Sequence, residues 1–241
     1  MQDKRHRTGR GALRALILIG MAGSGVSAEA ASRGYTITSF DEIRVEAPVN
    51  VIVATGMGPS ARADGDLHML DRLKVDVSGR MLSITMERAQ PGESGGGPVT
   101  LRLSTGALER IVLTGGGSVN VNRMKGLRGE IVMGGNGDVR VDAVELDQLD
   151  LGLAGGGRAT LNGRAGVANI RVTGPGTVSA EGLVARQASI GNEGAGSVSI
   201  TADVNASVTA SGSGDVMVAG KAACSVDNRG IGRIGCGGKS F

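Results

Sequence analysis

The sequence predicts an all-β fold, a parallel β-helix or β-solenoid, on three observations. A Gly-x-Gly pair recurs along the second half, its second glycine falling at Gly117, Gly137, Gly157, Gly176, Gly196, Gly214 and Gly232. The intervals are 20, 20, 19, 20, 18 and 18 residues. Positions at fixed offsets from that glycine are apolar in every copy, and the positions between them vary freely. Self-similarity at such a period is the mark of a stacked repeat, and period-two alternation makes its parts strands.

The columns define each element. Two residues after the glycine stand Val119, Val139, Ala159, Val178, Val198, Val216 and Ile234. Four after it stand Val121, Val141, Leu161, Ala180, Ile200, Val218 and Cys236. Six before it stand Ile111, Ile131, Leu151, Ile170, Ile190, Val208 and Val226. A strand, a glycine bend and a second strand thus repeat about seven times, in coils of 18–20 residues. No coil can bury its apolar row alone, so stacking converts each column into an internal ladder. The bend glycines are expected where a Cβ would clash or where φ is positive.

Residues 31–108 read as an N-terminal β region, opening coils and a cap, continuous with the repeats of 109–241 as one domain. Ser39–Val45 and Val49–Val53 read as strands around Pro48, and Leu73–Val77 with Met81–Met86 as a hairpin about Ser78-Gly79-Arg80. Residues 64–72 suggest a helical turn, and the stretch from Pro91 to Pro98 a loop. A cap is needed because an open stack would leave a pairing edge exposed.

Residues 1–30 read as a secretory signal peptide. Lys4, Arg5, Arg7, Arg10 and Arg14 precede the apolar core Ala15–Ala22, and Ala28-Glu29-Ala30 fits cleavage between Ala30 and Ala31. No cysteine follows that site to carry a lipid, and no stable membrane span is expected after cleavage. The full chain carries 26 Lys and Arg against 23 Asp and Glu; without the leader's five and two, 21 of each remain. A neutral mature chain gives no reason to expect a nucleic-acid partner. Aromatics number three, Tyr35, Phe40 and Phe241, among 241 residues with 43 glycines. So few rings weaken base stacking and sugar stacking alike.

These residues resemble the head GIN domain family, named for auto-transporter adhesins. The likeness lies in the opening SFDEIRVEAPVNVIVATG, in VDVSGRMLSITM, and in the recurring bend of which SGSGDV is nearest the family's form. It spans roughly residues 38 to 220 and implies an exported bacterial protein with a parallel β-helix-like fold. It implies little about activity.

Enzymatic motifs fail on context. Gly92-Glu93-Ser94-Gly95-Gly96 matches G-x-S-x-G, but the elbow needs a strand before it, a helix after it and a histidine. The chain's two histidines are His6, in the leader, and His68, in a turn. Gly238-Lys239-Ser240 lacks the phosphate loop's earlier glycine, since Arg233 stands there. Gly134 to Asp142 resembles a calcium nonapeptide, yet the period is wrong and Arg158 and Arg233 share the aspartate's column. Asp142, Glu145, Asp147 and Asp150 cluster on one connection, which reads first as a solvated charge run. No catalytic residue, metal or cofactor is expected.

Cys224 and Cys236 are expected to pair. Six before the bend faces two after it, so eight before faces four after, and in the seventh coil those places are the two cysteines; export favours the disulfide. Asp138, Arg158, Asp215 and Arg233, one residue past the bend, form a polar rim and the candidate interaction surface. The function expected is a non-enzymatic structural or adhesion-type module of the cell envelope, periplasmic, secreted or on the cell surface, with an envelope protein or glycan as partner. The alternative is a carbohydrate-active enzyme or glycan-binding protein on a β-helix.

Overall fold

The computed structural model describes residues 31–90 and 96–241. Residues 1–30, where a signal peptide is expected, lie outside them, as does most of the G-x-S-x-G stretch; Ala31 opens the first strand. The N-terminal region holds β1 (Ala31–Tyr35), β2 (Glu42–Val45), β3 (Asn50–Thr55), β4 (Ser60–Gly65), α1 (Leu67–Arg72), β5 (Leu73–Ser78), β6 (Met81–Met86) and β7 (Thr100–Thr105). The solenoid follows with β8 (Arg110–Leu113), β9 (Ser118–Val121), β10 (Met124–Met133), β11 (Asp138–Leu153), β12 (Arg158–Val172), β13 (Thr177–Asn192) and β14 (Ser197–Ala210). It ends in β15 (Val216–Gly220), β16 (Ala223–Asn228), β17 (Ile234–Cys236) and β18 (Lys239–Ser240).

The repeats stack in parallel and in the register that the columns dictate. Val139 pairs with Val119 on one side and Ala159 on the other, and Leu151 with Ile131 and Ile170. Seven glycine bends delimit six complete turns. Each turn has three faces. In β11 the first is 138–141, the second 144–146 and the third 148–153, with pairing broken between Val141 and Val144 and at residue 147. The buried residues slip by one at each break: Val139, Val141, then Val144, Leu146, then Leu149, Leu151, Leu153. A strand that keeps its apolar side inward must lose a step of alternation wherever it turns a corner. The coil therefore buries seven side chains where the repeat columns named three.

The bend glycines are explained by contact with the coil before. A Cβ on Gly135 would lie 2.7 Å from the Gly115 carbonyl oxygen, and one on Gly176 would lie 2.6 Å from that of Gly157. The clash repeats through both glycines of every later bend. Among the described residues none of these bend glycines has positive φ; Gly163, which opens the second face, and Gly220, which falls at its end, do, with φ +122 and +100. Stacking, rather than handed turning, sets the repeat. The bend at 46–49, over which Gly115 and Gly117 stack, itself carries Ala47 and Val49, both buried.

Chain order and stacking order part company at the N-terminus. β2 lies between β6 and β8, and β3 between β7 and β9, all parallel. The first coil in the chain is thus the second layer of the stack. Outside it, β5 closes antiparallel on β6, β4 on β7 and β1 on β4. Asp66 caps α1 through the amides of His68 and Met69. Arg80 ties the hairpin tip to Asp41 and Glu109. One buried cluster runs from Phe40 to Cys236.

The interior narrows towards the C-terminus. Leu146 is followed in its column by Ala165, and Leu149 by Ala168, Ala188 and Ala206. Asn192 occupies an inward place that is Val172 one coil earlier and Ala210 one later. It is fully buried, and its amide donates to the Gly196 carbonyl at 2.8 Å and accepts from the Gly194 N–H at 3.3 Å, bracing the bend from inside. Asn228 repeats the arrangement on Gly230 and Gly232.

Candidate interaction surfaces

The glycine bends form a ridge along the stack, with a different surface on each side. The first face begins with the predicted rim. Asp138 and Arg158 are exposed and in register on adjacent coils. Asp215 and Arg233 meet directly: the Arg233 guanidinium donates to the carboxylate at 2.8 Å and its backbone N–H donates at 2.9 Å. Those two hydrogen bonds, the side-chain one foremost, hold the Asp215 carboxyl below its ordinary value, and the side-chain bond with the carboxylate's charge raises the Arg233 guanidinium. The four rim residues therefore lie in one column but behave as two sites. At the C-terminal pair the charges satisfy each other; at Asp138 and Arg158 they are presented to solvent.

The third face, on the other side of the ridge, was not legible in the sequence as a surface. Its outward column reads Glu130, Asp150, Asn169, Ser189, Ser207 and Ser225. The next column towards the ridge holds Val132, Gly152, Arg171, Gly191 and Thr209. Small residues at its centre hollow this face. Two adjoining depressions of about 590 and 490 Å³ result, and they share Asn169 and Ser189. Asp150 is held by the amides of Asn169 at 2.7 Å and Gln148 at 2.9 Å. Glu130 lies 3.1 Å from Arg110, which also reaches Glu42 at 3.9 Å.

The acidic run of the sequence is dispersed by the fold. Asp142 accepts from Arg140 at 2.7 Å, Glu145 lies 3.5 Å from Arg123, and Asp150 faces the groove. No group of three His, Cys, Asp or Glu side chains able to hold a metal occurs among the described residues. Lys239 and Ser240, of the rejected phosphate loop, are strand β18, paired antiparallel with β17.

Cys224 and Cys236 form a disulfide with Cα atoms 6.1 Å apart across the last coil. Beside it Val226, though in an inward column, is only half-buried, because no further coil covers β16.

A family model described as "Putative auto-transporter adhesin, head GIN domain" matches residues 39–222. The chain belongs to this family. The head GIN fold recurs in solved structures. One is a "putative adhesin" from Bacteroides fragilis NCTC 9343, 19% identical, with 86% of this chain and 97% of that one covered and a TM-score of 0.76. Another is a "putative lipid binding protein" from Parabacteroides distasonis ATCC 8503, 23% identical, with 86% and 96% covered and a TM-score of 0.69. A "putative adhesin" from Parabacteroides merdae ATCC 43184 has a TM-score of 0.62 at 19% identity, with 86% and 95% covered. At these identities the likeness carries the fold alone. No curated protein matches the chain. No helix among the described residues is long and apolar enough to cross a membrane.

Proposed function

We propose that this head GIN domain is an exported, non-enzymatic, adhesion-type module of the cell envelope, periplasmic or on the cell surface. The observation that carries the reading is the pair of in-register polar faces flanking the glycine ridge. Their backbone groups are spent in the parallel ladders, so only side chains on a fixed lattice are offered to a partner. Such a lattice suits binding, and three of its carboxylates are engaged by neighbouring side chains. Asp142 and Asp215 are paired with arginines, and Asp150 is fixed by amides. The leader pattern and the Cys224–Cys236 bond support export, since disulfides persist in oxidising compartments. Lipid binding, the description attached to one structural neighbour, finds less support: the coil interior is filled by Leu, Val, Ile and Ala columns.

The test is retention of solubilised envelope components by the purified protein, with calcium and with chelator. Retention that weakens in Asp138→Ala or Arg158→Ala locates the contact on the rim. Depolymerisation of a glycan would overturn the non-enzymatic reading, and retention of nothing would overturn the module.

A further inference from the structure

We infer that the groove on the third face binds a linear glycan, neutral or carrying amino groups, laid along the solenoid axis. This rests on the binding-module reading and goes beyond it by naming the ligand and the face.

Direction is the first argument. The groove crosses strands β10 to β14 and reaches Ser225 of β16, so its length runs with the stack. Every strand it crosses except β16 has ladder partners on both sides, so the floor cannot extend a sheet onto a peptide. What it offers instead is a column of amides and hydroxyls, Asn169, Ser189, Ser207 and Ser225, continued by the carboxylates of Asp150 and Glu130. These groups mix donors and acceptors as sugar hydroxyls do. The second argument is spacing. Successive coils lie about 4.8 Å apart, which closely matches the length one pyranose unit adds to an extended chain. Each coil can therefore present one polar group of this column to each successive sugar. Third is charge. Glu130, Asp150 and Glu193 line the groove with Arg171, and Arg110 pairs with Glu130 from the coil before, which leaves the groove slightly acidic. A polyuronate would be repelled, whereas neutral or amino sugars would not. Without aromatic platforms each sugar is held by hydrogen bonds alone, so affinity must accumulate over several units.

The experiment is equilibrium binding of the purified protein to linear oligosaccharides of two to eight units, in neutral, amino-sugar and polyuronate series. Binding is expected for the first two series, rising with length up to about five or six units. Ser189 is exposed, so Ser189→Leu fills the groove without entering the core and without adding a ring for a sugar to stack on; it should weaken binding at least about tenfold, as should Asn169→Ala. Arg140→Ala, on the first face, should leave binding unchanged, and circular dichroism verifies that each variant is folded. No glycan binding, binding that survives Ser189→Leu, or preference for polyuronates overturns the inference. So does an extended peptide bound in place of glycan. If envelope components are retained through the rim while glycans are not, the groove assignment falls and the module stands. If nothing is retained in either test, both fall.

Discussion

A single methyl group distinguishes the glycines that stacking requires from those it does not. A Cβ on Gly214 would sit far inside contact with the Gly196 carbonyl oxygen, and backbone cannot step aside as a side chain can. Gly116, at the outer tip of its bend, has nothing within 4 Å of where a Cβ would be. Gly214→Ala should therefore cost more than about 4 kcal/mol, in the range kept for core disruption. Gly116→Ala should be neutral or stabilise by about 0.4–1 kcal/mol, by restricting the unfolded chain. Urea titration of the two variants checks this, and similar midpoints would refute the stacking account. The rim makes a separate prediction about pH. Asp215 is held below its ordinary 3.8 first by its side-chain hydrogen bond from Arg233, so the fold favours the ionised form. Its contribution is present above that ordinary value and is lost as pH falls through the lower folded value. Wild type and Asp215→Asn should thus differ slightly in melting temperature at neutral pH and converge in strong acid. The difference should also shrink in high salt, because the pair is exposed. A gap that widens on acidification would contradict the sign.

At the scale of an element, the last coil is the weak one. β16 is paired on one side only, and the short hairpin of β17 and β18 covers just the first face. The Cys224–Cys236 bond closes a 12-residue separation there. By loop closure it contributes about 3 kcal/mol, and in a repeat protein that stability is felt mainly by its neighbours. In C224A/C236A, amide exchange should accelerate in β15 to β17 and stay slow in β11 to β13. Uniform acceleration along the stack would show instead that the bond holds the molecule as a whole. The cysteine pairing was within reach of the sequence because both residues fall in columns pinned by the bend. The columns at Val144, Leu146 and Leu153 were not. The alternation slips at two corners that carry no regular glycine, and alanines such as Ala165 and Ala206 take over where the coil narrows. β1 and β4 were missed for another reason. ASRGY and SARADG have little strand propensity of their own, and the ladders of β4 to β7 and of β1 to β4 make them strands. The groove is hidden because a column of Asn, Ser and Gly reads in one dimension as loop composition.

The whole molecule is a one-dimensional stack interrupted once, at its start. The sandwiching of β2 and β3 requires pairings such as Glu42 with both Met81 and Arg110, which no repeat period announces. Beyond that layer each coil touches only its neighbours, so stability should divide into coil-sized units. Excision of 177–196, one full period, tests this. It would join Gly176 to Ser197 and set β14 on β12. Val198 then meets Ala159, Ile200 meets Leu161, Val208 meets Ile170 and Ala210 meets Val172. The Gly214 bend lands on Gly176, glycine upon glycine, as in every other layer. Asn192 leaves together with the bend it braces. The shortened protein should keep its β-sheet circular dichroism and a single cooperative melt, lowered by the loss of one interface. Excision of 177–186 alone removes half a period, sets apolar positions against corners, and moves the Gly194–Gly196 bend off the Gly174–Gly176 bend beneath it. That variant should show no cooperative transition. Equal behaviour of the two excisions would mean that the columns do not carry the fold, and that the N-terminal layers, rather than the repeat, hold the solenoid in register.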